Sequence, residues 1–161
     1  MSVASFIKDY GSAIPWLLVT VGWFISNAQA NRRELRKEVR SEISELENIV
    51  KDVGKELRSY YATAPASDLA HERALNIKMS MKALDSRFDR LYCHNLGEFP
   101  AEPPVEIQSV REQFFDAVTG EKFESAVRPV GQELATILAK QHSAGLKLID
   151  GLYSALLKEF N

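Results

Sequence analysis

Residues 43–60 read ISELENIVKDVGKELRSY, and the spacing of their apolar side chains sets the fold class. Ile43, Leu46, Val50, Val53, Leu57 and Tyr60 step by three and four residues in alternation. That spacing keeps one continuous stripe on a helix. It is also a heptad seam of roughly two and a half repeats, with Glu47 and Lys51 as an i,i+4 pair on the outside. Such a seam has two uses. Between chains, Ile43, Leu46, Val50, Val53 and Leu57 would form an oligomer contact. Within one chain they would form a wall of a helical bundle; about two and a half heptads are too few to decide between the two, and the bundle is the favoured reading. Gly54 costs about 1 kcal/mol inside a helix, so a break there stands as an alternative to a continuous helix.

Downstream the helical period recurs. Ala62 to Ala66, with Pro65, is a turn, and Ser67 or Asp68 can cap a second helix. On that helix Ala70, Ala74, Ile77, Met81, Leu84, Phe88 and Leu91 share a face, and Asn95-Leu96-Gly97 ends it. Three prolines between Glu98 and Pro104 mark a loop. Ile107, Val110, Phe114 and Val118 define a third helix, stopped at Thr119-Gly120. Pro129 suits the first turn of a fourth, with the stripe Val130, Leu134, Ile137, Gln141, Ala144, Leu148, Leu152, Leu156 and Phe160. No stretch alternates with period two, so strands are not expected.

Upstream the chain changes character. No charged residue occurs from Tyr10 to Asn31. As a helix this stretch reaches about 33 Å, against a hydrocarbon core of about 30 Å. Its strongly apolar part, Ala13 to Ile25, is shorter, and Ser26 and Asn27 weaken the inner end. Trp16 and Trp23 are the membrane-interface candidates. A basic collar follows: Arg32, Arg33, Arg36, Lys37 and Arg40, against Glu34 and Glu38. Ala28-Gln29-Ala30 has the form of a signal-peptidase site. The collar directly after it resists translocation, and Lys8 beside Asp9 leaves no net positive charge before the apolar run. An uncleaved anchor is therefore expected, with the N-terminus outside and the rest of the chain in the cytoplasm.

The expected organisation is all-α: an N-terminal transmembrane helix continuing into a cytoplasmic three- or four-helix bundle. Residues 1–31 hold the single membrane helix (about 12–30). Residues 32–60 hold the basic juxtamembrane collar and the coiled-coil-like amphipathic helix, and residues 67–161 the bundle. The net charge of −2 gives no reason to expect duplex nucleic acid as a partner.

Catalytic patterns are absent from the sequence. It holds no glycine-rich phosphate loop, no H-E-x-x-H and no G-x-S-x-G, and Cys93 is its single cysteine. No enzyme and no cofactor is expected. Cys93 and His94 are adjacent, so their side chains diverge on a helix, and His71, His94 and His142 lack ligand spacing. Asp85 and Asp89 share a face with Lys78 and Lys82, which would neutralise them. The remaining candidate is a basic flank on the second helix. Arg73, Arg87, Arg90 and His94 border the apolar stripe, and Arg87 with Arg90 could grip one phosphate of a phosphate-bearing ligand. The competing reading has these side chains lying along the core edge and pairing with Glu106 or Glu112.

The stretch from Ile14-Pro15-Trp16 through Gly22-Trp23-Phe24-Ile25-Ser26-Asn27, with the collar Asn31-Arg32-Arg33-Glu34-Leu35-Arg36-Lys37-Glu38, resembles a group of small bacterial and prophage-type membrane-anchored helical proteins. The resemblance covers about a quarter of the chain and implies a bacterial inner-membrane location. It implies no activity. The expected partners are the lipid bilayer and either further copies of the chain or another protein, and the expected role is protein interaction and self-assembly at the membrane. The alternative is a membrane effector, for example in phage defence, whose helical domain senses a partner or a phosphate-bearing ligand and perturbs the bilayer.

Overall fold

The computed structural model describes residues 13–93 and 102–160. The expected helix stop at Asn95-Leu96-Gly97, and His94 with it, lies outside the described residues, as do residues 1–12. Four helices follow one another: α1 (Ala13–Tyr61), α2 (Asp68–Cys93), α3 (Val105–Thr119) and α4 (Gly131–Phe160). No strand occurs among the described residues, so the all-α expectation holds. The chain divides into two compact units, Met1–Lys37 and Glu38–Asn161.

The second unit is a four-helix bundle. Its core takes in each seam residue of α1: Ile43, Leu46, Val50, Val53, Leu57 and Tyr60 are all buried, and Val39 extends the seam by one turn. The stripe therefore packs inside the chain, and Ile43, Leu46, Val50, Val53 and Leu57 present no surface for contact between copies. It also draws residues 38–61 into the bundle, so the bundle begins well before residue 67. On α2 all seven expected residues from Ala70 to Leu91 are buried, joined by Tyr92. On α3 Ile107, Phe114 and Val118 are buried. On α4 burial runs from Gln141 to Phe160 and includes Gly145 and Ile149.

Local chemistry sets the helix ends. The Ala70 N–H donates to Ser67 Oγ at 3.2 Å, so Ser67 is the cap of α2 and Asp68 stands in its first turn. The fourth helix starts later than Pro129 suggests. Pro129 is buried, Val130 is 74% exposed, and Gly131 adopts a left-handed φ of 55° before the helix runs on. A residue with a side chain rarely tolerates that turn.

Pairs of residues that meet fix the helix directions. Gln141 lies against Gly54 and Gly145 against Val50, so α4 runs antiparallel to α1. Ile107 lies against Gly151 and Phe114 against Gly145, so α3 runs antiparallel to α4. Arg73 pairs with Glu56 and Arg87 with Glu42, so α2 runs antiparallel to α1. The result is an up-down-up-down bundle. The backbones of α3 and α4 come closest of all the helix pairs, as the glycines on α4 permit.

No break occurs at Gly54, which lies inside α1. A Cβ there would stand 3.1 Å from Gln141 Oε1 and 3.3 Å from its Nε2. The glycine makes room for the buried Gln141 amide, and tertiary packing outweighs its low helix propensity. Gly145 is tighter, because a Cβ would meet Val50 Cγ1 at 2.6 Å and Phe114 Cε2 at 3.3 Å.

The first unit differs in kind. Trp16, Leu17, Leu18, Val19, Val21, Trp23, Phe24 and Ile25 are all exposed, between 45% and 75%. Thr20 carries the one side-chain hydroxyl between Trp16 and Ile25, and it donates to the Trp16 carbonyl at 2.8 Å. Among the described residues no helix is long and apolar enough to cross a membrane. The expected membrane helix over residues 12–30 begins outside the described residues, and its described part does not reach that length and apolarity. The apolar run of α1 from Ala13 to Ile25 covers about 20 Å of helical rise, against a hydrocarbon core of about 30 Å, and gives way to Ser26, Asn27 and Gln29.

Candidate functional site

The arginine flank of α2 faces α1. Arg87 Nη1 donates to Glu42 Oε2 at 3.0 Å, and Glu45 lies 4.0 Å from its Nη2. Arg90 reaches the same Glu42 at 4.0 Å. Arg73 Nη1 donates to Glu56 Oε1 at 3.1 Å. The structure thus brings Arg87 and Arg90 together on one carboxylate, and places Arg73 further along the same seam. His94 is outside the described residues. Glu106 and Glu112 take no part in these pairs; the acids come from α1, which the antiparallel register lays beside the flank. With the side chain of Glu42 only 20% exposed, these guanidiniums have an internal counter-ion where a ligand phosphate would sit.

Asp85 and Asp89 are likewise matched, but by a residue of α3. Arg111 Nη1 lies 3.3 Å from Asp85 and 3.5 Å from Asp89, with its guanidinium 4.7 Å from the centre of the Phe88 ring. Lys78 pairs with Glu124 at 2.7 Å instead of with these aspartates. Among the described residues no group of three or more His, Cys, Asp or Glu side chains could hold a metal ion.

Sequence reasoning passed over the segment between α3 and α4. Residues 120–130 form a strap clasped on Tyr60. The Glu124 N–H donates to Tyr60 Oη at 2.8 Å, the Phe123 ring lies 5.1 Å from the Tyr60 ring, and the Arg128 guanidinium stacks 3.8 Å from its centre. Glu124 holds a left-handed φ of 60°, an uncommon conformation for a residue with a side chain. Beside the clasp opens a cleft of about 560 Å³, lined by Pro65, Ala70, His71, Ala74, Ser125 and Arg128 among others. Arg128 Nε and Nη1 are buried there without a hydrogen-bond partner. Burial, together with the neighbouring Tyr60, raises the pKa of the Tyr61 hydroxyl, and Arg128 opposes the shift. No periodicity flags such a segment, since its order comes from one ring on a distant helix.

The collar residues Arg32, Arg33, Arg36, Lys37 and Arg40 are all exposed, and Lys37 lies 3.7 Å from Glu34. The indole of Trp23 meets the Phe24 ring edge-on at 5.1 Å. No protein-family model, curated protein or solved structure matches this chain.

Proposed function

We propose that this chain is a membrane-anchored helical interaction module. The exposed apolar girdle of α1 from Trp16 to Ile25 carries the reading. A helix that is apolar on every side and uncovered is unstable in water. A partner helix would cover one face of it, whereas lipid covers all of them. The Thr20 hydroxyl, already bonded to the Trp16 carbonyl, adds no unmet donor in hydrocarbon. The collar follows at the depth where anionic headgroups lie, and basic residues there contribute about 1 kcal/mol each. The resemblance of residues 14–38 to small bacterial membrane-anchored proteins points the same way.

In its sharper form the proposal is a single pass, with the N-terminus outside and the bundle inside. It rests on the uncharged stretch from Tyr10 to Asn31 and on the side of that stretch the collar occupies. The bundle then works as a binding surface at the membrane for further copies or another protein. Exposed Leu75 and Met79, one turn apart on α2, and Leu146 and Leu157 on α4 are the apolar contacts it offers.

Fractionation tests the anchor. The full chain is expected in the membrane pellet after carbonate extraction. Leu18→Lys with Phe24→Lys is expected to move it to the supernatant with the helical circular dichroism of the bundle intact. A wild-type chain that stays in the supernatant would overturn the proposal. Labelling Ser2→Cys, on a Cys93→Ser background, with a membrane-impermeant maleimide tests the topology. Reaction in intact cells fits the single pass. Protection of a membrane-bound chain would mean an anchor lodged from one side only.

A further inference from the structure

We infer that the cleft beside the Tyr60 clasp is a binding site for a small organic oxyanion, with Arg128 as its anion-binding residue. The inference does not depend on the membrane reading. It begins from an electrostatic mismatch. Every other arginine of the bundle's helix seams described above has a carboxylate: Arg73 has Glu56, Arg87 and Arg90 share Glu42, and Arg111 has Asp85 and Asp89. Arg128 has aromatic faces instead, Tyr60 at 3.8 Å and Tyr61 at 5.9 Å from the ring centres. Glu124, the acid nearest in sequence, is engaged by Lys78 at 2.7 Å. Two of the three guanidinium nitrogens are buried with no acceptor. A desolvated cation with unmet donors is costly, and stacking on a ring recovers part of that cost only.

The surroundings say what would complete the site. Arg128 lines the cleft together with Tyr60 and with Glu124, whose carboxylate is held by Lys78 at 2.7 Å, and the remaining walls divide into two chemistries. Ser125 and His71 stand at the same cleft with donors to offer an anion. The Ser125 Oγ accepts from the Val127 N–H at 3.2 Å, which leaves its own proton to donate. Pro65, Ala70 and Ala74 supply small apolar surface for the body of a ligand. A volume of about 560 Å³ suits a small molecule rather than a peptide segment. A guanidinium presents its N–H groups as a planar fork, the geometry that meets a carboxylate or a phosphate.

Arg128 Nε and Nη1 are covered by neighbouring protein atoms, so an anion can reach them only if residues 120–130 shift on Tyr60. The Glu124 N–H, held by Tyr60 Oη, reports that shift.

The test uses the full chain in detergent, isotope-labelled and titrated at constant ionic strength with inorganic phosphate, with acetate, and with chloride as the control. Saturable shifts of the Arg128 Nε–H and the Glu124 amide with phosphate or acetate are expected, and none with chloride. A phosphate preference would assign a phosphate-bearing ligand, and equal response to acetate a carboxylate. Arg128→Gln is expected to weaken the binding at least tenfold, while Arg87→Gln leaves it unchanged. Should Arg128→Gln lose its helical circular dichroism, Ser125→Ala, which keeps the clasp, is expected to weaken binding several-fold. A response that chloride reproduces, or saturable binding that survives both Arg128→Gln and Ser125→Ala, would overturn the assignment. So would binding abolished by Arg87→Gln, which would return the site to the α2 flank.

Discussion

Within α1, residues 16–25 and residues 39–60 are both rich in large apolar side chains, and they meet opposite fates. In the second stretch the apolar residues recur every three or four positions with charged residues between them, and Ile43, Val53 and Leu57 are fully buried. In the first they run without interruption, and Trp16 is 75% exposed. Apolar content alone thus does not decide burial. Its period does: a stripe can be covered by the chain's own helices, whereas a girdle needs a solvent of its own.

The largest expected effect is the one that removes the girdle. Leu18→Lys with Phe24→Lys should take the chain out of the membrane pellet while leaving the denaturant midpoint of the bundle unchanged. A midpoint that falls with it would mean the two stretches share one folding unit. Next is Phe114→Ala, which empties a fully buried site against Gly145. It should cost about 3–5 kcal/mol in urea unfolding and leave membrane retention untouched. Gly145→Ala should cost about 1–3 kcal/mol by overpacking, since its Cβ would stand 2.6 Å from Val50 Cγ1. Gly54→Ala should change stability by less than about 1 kcal/mol, because the Gln141 amide it meets at 3.1 Å can turn aside while the helix gains propensity.

Alkaline pH probes the bundle alone. Burial pushes Tyr92 above the ordinary tyrosine pKa of about 10 and Tyr61 upward as well. Above pH 10 the unfolded chain loses those protons while the folded chain keeps them. Stability is therefore full below about pH 10 and falls as pH rises from there towards the folded-state values. Tyr92→Phe should flatten that decline, as followed by the urea midpoint between pH 8 and 11. The smallest effect expected is from Glu42→Gln, under about 1 kcal/mol, because the Arg87 side chain is one-third exposed.

The stripes of α2 and the seam of α1 were readable residue by residue, since burial follows helical period. What period cannot give is the identity of the neighbour. It places Arg87 on a core edge, but the choice of Glu42 over Glu106 or Glu112 depends on the antiparallel register of α1 and α2. Gly54 shows the same limit: its propensity cost is local and visible, while its benefit lies 87 residues away in Gln141. Arg128 was unreadable for a third reason, since its setting comes from the Tyr60 ring and a strap with no repeating pattern.

The ion pairs between α1 and α2 also act as a ruler. Arg73 and Arg87 stand fourteen positions apart, as do Glu42 and Glu56 on the facing helix. Two marks at equal spacing on two rods coincide at one offset. Sliding α2 along α1 by a turn would separate both pairs from their present partners at once, although an apolar stripe alone would tolerate the slide. Contacts worth little to the depth of the folded state thus fix where along its length that state is set.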